Sequence, residues 1–527
     1  MTVITTPKTF TSSQSIATRE KRPLAELPVA VIGAGPVGLA AAVHLLDRGL
    51  EPVIFEAGET VGAAVRDWGH VPMFSPWTYS VDRASVALLE RHGWQQPRGE
   101  TFPTGRDLAD RYLDPLSATP EIEPHLRLGT RVTGIARTGV GKVRTAGRDA
   151  RPFEVRTVDR SGREGRLFVR AVIDASGTWT SPNPAGAGGL PAMGEREAAD
   201  RIRYGMPDVL GAERARYAGR RVLVLGSGHS AFGSLLDLAT LATEAPGTRV
   251  IWALRKKELD KVYGGGTADQ LAQRGALGTR LHELVDAGAL EVIAPFAVDE
   301  IARSLEGGLL IAGESDDVPT TIAVDELIVA TGLRPDLSIL GELRIDLDPA
   351  LDCPRALAPL IDPNEHSCGT VRPHGAAELA QPEPGLFIVG MKAYGRAPTF
   401  LLATGYEQAR SVVAHLAGDE DAARRVELVL PETGVCNGPG VAGATDEAAT
   451  PPASGCCGLA KTRSEPVVDT KASPAVDANA SACCVPRSAP GIAADGRCCD
   501  PLPAVKSEPA AAAGSACCGP RTAKSVA

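Results

Sequence analysis

The pattern of apolar and polar positions predicts two copies of one folding unit: a β-strand, a turn, a helix and a second strand. In the first copy, apolar runs at residues 29–32 and 52–55 predict buried strands, and the spacing over residues 39–46 predicts a helix. The second copy has strands predicted at residues 221–225 and 249–254, with a helix that extends through Leu241. Units of this kind form parallel sheets, so the pattern predicts an α/β fold.

Each unit is followed by segments whose alternating pattern predicts a β-meander. The first meander, residues 153–158 and 166–174, ends in Asp174-Ala175-Ser176-Gly177. The second, residues 308–312 and 322–329, ends in Ala330-Thr331-Gly332. This repeated order predicts two Rossmann-like dinucleotide-binding domains, each with a β-meander.

The composition changes after residue 431, where the chain is rich in Ala, Pro, Gly and Ser and contains no Phe, Trp or Tyr. Such a segment buries too little apolar surface to offset the entropy of ordering the chain, about 1–2 kcal/mol per residue, so it is predicted to be disordered. The predicted divisions are a flexible N-terminus (1–27), a discontinuous first domain (28–190 and 320–425), a second domain (191–319) and a disordered tail rich in cysteine pairs (431–527).

Charge and hydropathy argue against two classes of partner. With a net charge of -9 and a pI near 5.6, the 527-residue chain lacks the basic excess of a nucleic-acid-binding protein. It has no run of about 18 uncharged apolar residues and no apolar centre near its start, so neither a membrane span nor a secretory signal is predicted. We expect a cytoplasmic protein, and the oligomeric state, a homodimer included, stays open.

Candidate chemistry begins at the first glycine turn, Gly33-Ala34-Gly35-Pro36-Val37-Gly38. With this spacing, the first glycine permits a tight turn, the second lets a pyrophosphate approach the backbone and the third lets the helix pack closely. The helix then presents unpaired N–H groups to the phosphates. Glu56 follows the second strand, where a carboxylate accepts a hydrogen bond from an adenosine ribose. These residues predict a bound dinucleotide.

The second glycine turn is Gly226-Ser227-Gly228-His229-Ser230-Ala231, and the strand after it ends in Arg255, Lys256 and Lys257 rather than in an acid. A carboxylate would repel a 2′-phosphate, whereas a guanidinium binds one, so NADPH is predicted rather than NADH. The alternative is that the basic residues are only a solvated surface. Two dinucleotide sites, one for a bound cofactor and one for a diffusing reductant, are typical of a flavin oxidoreductase.

The order of motifs over residues 28–418 resembles the two-dinucleotide flavoproteins, and more narrowly the flavin-containing monooxygenases. Besides the glycine turns, the resemblance rests on Val65-Arg66-Asp67-Trp68, Phe74-Ser75-Pro76-Trp77, Ala175-Ser176-Gly177 and residues 330–336. It implies FAD in the first site and NADPH in the second, with Arg66 and Trp68 near the flavin. The other positions at which it implies cofactor contacts are Ala175, Gly177, Thr331, Gly332, Gly390, Met391 and Thr399.

The sequence departs from the family pattern at two places, and it also resembles one smaller group of flavoproteins. Met391 stands where many relatives have an Asp that binds the ribityl chain, and the family's Phe-Gly and His-Ser motif is missing before the second glycine turn. The motifs Trp68-Gly69-His70-Val71 and Ala397-Pro398-Thr399-Phe400-Leu401-Leu402, together with a cysteine-rich end, resemble flavoprotein monooxygenase-like proteins of bacterial arsenic-resistance operons.

The cysteines of the tail form four vicinal pairs: Cys456-Cys457, Cys483-Cys484, Cys498-Cys499 and Cys517-Cys518. Adjacent cysteines form a disulfide only with strain but offer two soft thiolates to one ion, which favours trivalent arsenic or antimony over zinc. The alternative is a thiol-rich segment without a specific ligand. Outside the tail, Cys353 and Cys368 could receive a metalloid, form a redox pair or be inert.

The leading hypothesis is an NADPH-dependent flavin monooxygenase that uses O2 to oxidise a small soft nucleophile such as trivalent arsenic, sulfur or nitrogen. No protein residue is required as a nucleophile, and no catalytic side chain is assigned. One alternative is a thiol, disulfide or metalloid reductase related to thioredoxin reductase, although the chain has no Cys-x-x-Cys. Another is a metalloid-binding protein that acts through the cysteine pairs.

Overall fold

A computed structural model describes residues 22–428, apart from residues 265, 267–268, 270, 366–370 and 399. The strands in this part of the chain are β1 (Val29–Ile32), β2 (Pro52–Phe55), β3 (Leu126–Arg127), β4 (Thr130–Arg137), β5 (Phe153–Asp159), β6 (Glu164–Val169), β7 (Ala171–Asp174), β8 (Ile202–Tyr204), β9 (Arg221–Leu225), β10 (Arg249–Ala253), β11 (Glu291–Ile293), β12 (Ala297–Arg303), β13 (Leu309–Ser315), β14 (Val318–Val324), β15 (Glu326–Val329) and β16 (Leu386–Ile388).

The α-helices of the described residues are α1 (Pro36–Asp47), α2 (Ala63–Asp67), α3 (Trp77–Ser80), α4 (Arg83–Arg91), α5 (Gly105–Leu108), α6 (Asp114–Ser117), α7 (Arg214–Tyr217), α8 (His229–Glu244), α9 (Ala272–Asp286), α10 (Ala358–Ile361), α11 (Ala376–Leu379), α12 (Leu402–Leu416) and α13 (Glu420–Arg424). A π-helical turn, Ala109–Leu113, joins α5 to α6. The predicted disordered tail (431–527) and residues 1–21 of the predicted flexible N-terminus lie outside the described residues. Within the remainder of that terminus, Leu24–Glu26 forms a 3₁₀ helix.

The first sheet has the strand order β16-β7-β1-β2-β3, and its strand pairs are parallel. All residues of β1, β2 and β7 are buried, and they share one hydrophobic core with α1 and with apolar residues of β4 and β5. Pro36 is the first residue of α1, a position where the missing proline N–H costs no helical hydrogen bond. The predicted strand, turn, helix and strand of the first unit are therefore confirmed.

The second sheet repeats this plan with the parallel order β11-β10-β9-β15-β8. Each parallel sheet is accompanied by an antiparallel three-stranded meander, β4-β5-β6 for the first sheet and β12-β13-β14 for the second. We call the first sheet with its meander the first half, and the second sheet with its meander the second half. Two parallel sheets, each with a meander, confirm the predicted α/β fold with two Rossmann-like domains.

The structure corrects two details of the strand assignment. The segment expected as one strand over residues 166–174 divides at Arg170 into β6, which belongs to the meander, and β7, which belongs to the parallel sheet. The boundary expected at residue 320 falls inside β14, and both β14 and β15 pair with strands of the second half. Local apolar patterns indicate strands but not their partners, since pairing depends on distant parts of the chain.

None of the helices in the described ranges combines the length and the apolar character that crossing a bilayer requires.

Candidate functional site

The first glycine turn connects β1 to α1, and its three glycines occupy different environments. Gly33 has a φ of +96°, and a Cβ there would lie 2.8 Å from the carbonyl oxygen of Ala175. A Cβ on Gly38 would lie 2.0 Å from the carbonyl oxygen of Gly33, so the helix packs against the turn through bare backbone. A Cβ on Gly35 would meet no atom within 4 Å. The turn therefore has the open helix N-terminus that a dinucleotide pyrophosphate requires.

Glu56 lies directly after β2, beside this turn. Its Oε2 accepts a hydrogen bond from the N–H of Ala34 at 2.8 Å, and its Oε1 accepts from the N–H of Gly58 at 2.7 Å. Each carboxylate oxygen has further acceptor capacity, so a ribose hydroxyl can still donate to it. The structure thus brings Glu56 to the turn, where it holds the conformation of Ala34.

The predicted Ala175 and Gly177 lie at the carboxyl end of β7, next to the first glycine turn. The N–H of Ala175 donates to the carbonyl oxygen of Ile32 at 2.9 Å, and Gly177 has a φ of +70°. The chain therefore leaves β7 through a left-handed position that favours glycine.

A buried ion pair between Lys392 and Asp174 lies at the carboxyl end of β7, and no sequence motif indicated it. Lys392 Nζ lies 2.8 Å from Asp174 Oδ2 and 3.0 Å from Ser176 Oγ, and the side-chain exposures of Lys392 and Asp174 are only 2% and 0%. Ser176 also donates to Asp174 Oδ1 from its hydroxyl at 2.6 Å. These contacts tie the segment after β16 to the carboxyl end of β7.

Gly390 and Met391, both predicted cofactor residues, begin a 3₁₀ helix, Gly390–Tyr394, that contacts the first glycine turn. Gly390 has a φ of +71°, and a Cβ there would lie 3.4 Å from the side chain of Val37. Its N–H donates to Gln408 Oε1 at 2.7 Å. Met391 is partly exposed. Thr399 lies outside the described residues.

Arg66 and Trp68 lie at the end of α2 and contact the helices that follow. Arg66 forms ion pairs with Asp110 at 2.8 Å and with Asp114 at 2.6 Å. A Cβ on Gly105 would lie 2.6 Å from the Trp68 ring, so the indole packs directly on the backbone of α5. These contacts account for the conformation of both residues, and their location near a flavin stays a prediction.

The second glycine turn repeats the geometry of the first. Gly226 has a φ of +140°, and a Cβ there would lie 2.2 Å from the carbonyl oxygen of Ala330, which corresponds to Ala175 in the first half. A Cβ on Gly228 would meet no atom within 4 Å. Ala231, in place of the third glycine, is fully buried. Ser227 and Ser230 are partly exposed, and Gly228 is exposed.

Thr331 and Gly332 lie where the two segments that connect the halves are hydrogen-bonded to each other. The N–H of Asn183 donates to the carbonyl oxygen of Gly332 at 2.9 Å, and Thr331 Oγ1 donates to the carbonyl oxygen of Asn183 at 3.0 Å. The N–H of Arg334 donates to the carbonyl oxygen of Ser181, also at 3.0 Å. The two halves are therefore joined by two chain segments that are hydrogen-bonded to each other side by side.

The basic residues expected to select NADPH follow β10, in the position that Glu56 has after β2. Arg255, Lys256 and Lys257 are all exposed. Arg255 Nη1 donates to the carbonyl oxygen of Ala187 at 2.9 Å, and Lys257 Nζ lies 2.7 Å from Asp316 Oδ1. Lys257 is therefore paired with an acid, whereas no carboxylate within the described ranges forms an ion pair with Arg255 or Lys256.

His229, the first residue of α8, connects the second glycine turn with the first half of the chain. Its ring centroid lies 5.4 Å from that of Phe74 and 5.9 Å from that of Phe232. Burial, together with the nearby Arg274 cation, lowers the pKa of His229 to about 4. The sequence places His229 and Phe74 in separate motifs, and nothing local indicates that their side chains meet.

Cys353 is the cysteine that falls within the described ranges, and its side chain is fully buried. Burial, reinforced by Asp348, raises the pKa of its thiol to about 12, so it has the character of an inert apolar residue rather than a nucleophile. Cys368 and all four cysteine pairs predicted as metalloid ligands lie outside the described residues. Among the residues that are described, no three His, Cys, Asp or Glu side chains group as metal ligands.

Comparison with known proteins places this geometry in a family. Residues 30–354 match the family model described as pyridine nucleotide-disulphide oxidoreductase. A ferredoxin–NADP reductase of Salinispora tropica is 26% identical over 324 residues, which are 61% of this chain and 79% of that protein.

Solved structures share the fold at low identity. A bacillithiol disulfide reductase from Bacillus cereus superposes with a TM-score of 0.54 at 20% identity, covering 74% of this chain and 99% of the other. A cadaverine monooxygenase of desferrioxamine biosynthesis from Erwinia amylovora, solved with FAD, superposes with a TM-score of 0.53 at 14% identity, covering 77% and 98%. At these identities the likeness concerns the fold alone, and it includes both a reductase and a monooxygenase.

Proposed function

This chain belongs to the pyridine nucleotide-disulphide oxidoreductase family, and from that premise we propose that it is an NADPH-dependent flavin monooxygenase acting on a soft nucleophile. The membership confirms the predicted enzyme class, a flavin oxidoreductase, and with it the predicted cofactors, FAD and a nicotinamide nucleotide of the NADPH type. The monooxygenase reaction and the substrate class are the parts that we propose.

The two glycine turns would hold the two dinucleotides. The first turn, with its free space above Gly35, would take the pyrophosphate of FAD, and Glu56 would accept a hydrogen bond from the adenosine ribose. The second turn, with the same free space above Gly228, would take NADPH. Arg255 and Lys256 would bind its 2′-phosphate, because neither is paired with a carboxylate of the part of the chain that the structure describes. When bound, the flavin accepts hydride from NADPH and reacts with O2.

The observation that favours an oxygen-dependent reaction over thiol exchange is the state of Cys353. A disulfide reductase of the thioredoxin reductase kind needs a reactive thiol pair, but the chain contains no Cys-x-x-Cys, and Cys353 is buried with a raised pKa. A reductase would therefore depend on cysteines beyond the described residues. In a monooxygenase the protein positions the reactants and excludes water, and it needs no thiol.

The proposed reaction balances with one O2 for each NADPH. NADPH supplies two electrons and the soft nucleophile supplies two, so one oxygen atom is added to the substrate and the other leaves as water. With arsenite as substrate, NADPH, one proton, O2 and arsenite give NADP⁺, water and arsenate.

The test is to incubate the FAD-loaded protein with NADPH, arsenite and ¹⁸O-labelled O2. The proposal predicts that arsenite accelerates NADPH consumption and that the arsenate formed carries one ¹⁸O atom for each NADPH consumed, with the label measured before exchange with water. A soft organic sulfide serves as a second substrate in the same assay. NADPH oxidation that yields only hydrogen peroxide with both substrates would contradict the proposal.

We also propose a role for the tail, resting on its four cysteine pairs. Paired thiolates on the same chain as the oxidoreductase would raise the local concentration of trivalent arsenic or antimony near the site, which fits a protein of metalloid resistance in the cytoplasm. A protein that only binds metalloid would retain arsenite through the tail without consuming NADPH, and the same assay separates the two.

A further inference from the structure

We infer that His374 and Gln408 position Gly390 against the first glycine turn through a chain of hydrogen bonds, which we call the relay. The relay forms only while the His374 ring is neutral. The inference concerns residues beyond those assigned above. It rests on the proposed placement of FAD at the first glycine turn.

The relay is a chain of three hydrogen bonds, of which the two made by Gln408 are buried and the one to Arg372 is partly buried. The N–H of Gly390 donates to Gln408 Oε1 at 2.7 Å, Gln408 Nε2 lies 2.8 Å from His374 Nε2, and His374 Nδ1 lies 3.0 Å from the carbonyl oxygen of Arg372. Gln408 is fully buried, and His374 is 4% exposed. Because Gln408 and His374 are buried, a donor or acceptor of either side chain that loses its partner is costly to leave unpaired.

The groups at the two ends fix the direction of every bond. The carbonyl of Arg372 can only accept, so His374 Nδ1 carries the proton and Nε2 is left as an acceptor. The amide of Gln408 must then direct its NH2 group to His374 and its oxygen to Gly390. A second proton on His374 would place two donors face to face. Turning the Gln408 amide to relieve this clash would break the bond to the N–H of Gly390.

The relay holds Gly390, whose backbone has a left-handed conformation and lies close to the first glycine turn. Gly390 has a φ of +71°, and a Cβ there would contact Val37 in the first glycine turn at 3.4 Å. The first turn of α12 also approaches Val37, since a Cβ on Gly405 would lie 2.6 Å from the Val37 side chain. Any displacement of Gly390 is therefore transmitted to the residues between Gly35 and Gly38, where the FAD pyrophosphate would bind.

The surroundings of His374 are consistent with a neutral ring. Burial lowers the pKa of His374, although the carbonyl of Arg372 and the carboxylates of Glu378 and Glu407 favour the charged form. Glu378 accepts a hydrogen bond from Gly375, and Glu407 is paired with Arg410, so both carboxylates are already engaged. The ring of Tyr394 packs against His374 with centroids 5.6 Å apart.

The experiment compares Gln408→Leu and Gln408→Glu with a matched control, Gln381→Leu. Gln381 is also buried and also accepts a backbone N–H, from Asp346 at 2.9 Å, whereas the N–H of Gly390 donates to Gln408. The readouts are the dissociation constant of FAD, measured by flavin fluorescence, and the midpoint potential of the bound flavin as a function of pH.

Gln408→Leu should weaken FAD binding by about tenfold or more, because the N–H of Gly390 loses its buried acceptor. Gln408→Glu should restore the affinity, since a carboxylate accepts from both Gly390 and a protonated His374, and it should change the pH dependence of the midpoint potential. Gln381→Leu should leave both readouts as in the wild type.

Two results would overturn the relay. One is an equal loss of FAD affinity in Gln381→Leu and Gln408→Leu, which would indicate general destabilisation. The other is a Gln408→Glu variant whose pH profile matches the wild type, and this result remains informative if Gln408→Leu does not fold. A wild-type protein that neither binds FAD nor oxidises NADPH would instead refute the proposed function, so the two failures are distinct.

Discussion

Gly35 and Gly38 are three residues apart, yet a methyl group would meet open space at the first and a carbonyl oxygen 2.0 Å away at the second. We expect Gly38→Ala to lower the free energy of unfolding of the apoprotein by about 1–3 kcal/mol, because the helix must move away from the turn. Gly35→Ala should change apoprotein stability by less than about 1 kcal/mol, because the loss of a glycine N-cap is offset by the lower entropy of the unfolded chain.

Gly35→Ala should nevertheless weaken FAD binding by about tenfold or more, because its methyl group would occupy the space where the pyrophosphate approaches. Urea unfolding of the apoproteins and fluorescence titration with FAD separate the two effects. Equal losses of stability in the two variants would show that the two glycines do not have different tasks.

The basic residues after β10 allow a test of nucleotide selectivity. Arg255→Ala and Lys256→Ala should each raise the KM for NADPH about tenfold or more, since a charged hydrogen bond contributes about 1.5–3 kcal/mol, and both should leave the KM for NADH unchanged. Lys257→Ala is the matched control, because its ammonium group is already paired with Asp316. A KM for NADPH that responds to Lys257 as strongly as to Arg255 would refute this assignment of the phosphate site.

The pKa of His229, lowered to about 4, predicts an effect of pH on stability. Between its ordinary value, near 6.5, and about 4, the unfolded chain binds a proton that the folded protein does not, so stability is lost as the pH falls through this window. His229→Gln should reduce that loss by up to about 3 kcal/mol. Unfolding curves of the wild type and of His229→Gln from pH 7 to pH 4 measure it, and equal losses in the two proteins would contradict the prediction.

At the scale of elements, the Asp174–Lys392 pair joins the end of β7 to the 3₁₀ helix after β16. Removing one partner leaves a buried charge, so Asp174→Asn and Lys392→Met should each lower the free energy of unfolding by about 3–5 kcal/mol. The double variant should recover a large part of this loss, because neither charge then remains. A double-mutant cycle by chemical unfolding checks the coupling, and strictly additive losses would show that the pair does not act as a unit.

Local patterns were sufficient to predict the elements next to each glycine turn, and insufficient to predict which elements meet. The turn, helix and strand after residue 33 follow from glycine spacing and apolar runs over a short stretch of chain. The contact of Phe74 with His229, the pairing of β15 with β9 and the ion pair between residues 174 and 392 all join distant segments. Buried polar groups such as Lys392 and Gln408 were missed because their partners are known only after folding.

At the scale of the whole molecule, a chain that ends at residue 430 tests the proposed role of the cysteine pairs. We expect this truncated protein to reduce FAD with NADPH at the wild-type rate, because the residues of both glycine turns are retained. Its affinity for arsenite, measured by equilibrium dialysis, should fall about tenfold or more with the loss of the paired thiolates. A full-length variant with all eight paired cysteines changed to Ser is the control for chain length. Undiminished arsenite binding in both proteins would refute the role of the pairs.

The paired connection between the halves has a consequence for protein engineering. Ser181 and Arg334 share a hydrogen bond of 3.0 Å between their backbones, so the 152 residues between them leave and return at one point of the first half. The second half is thus an insertion whose excision opens a gap that a linker of two or three residues can close. The first half can in this way be made as a minimal protein for studying flavin uptake without the nicotinamide nucleotide.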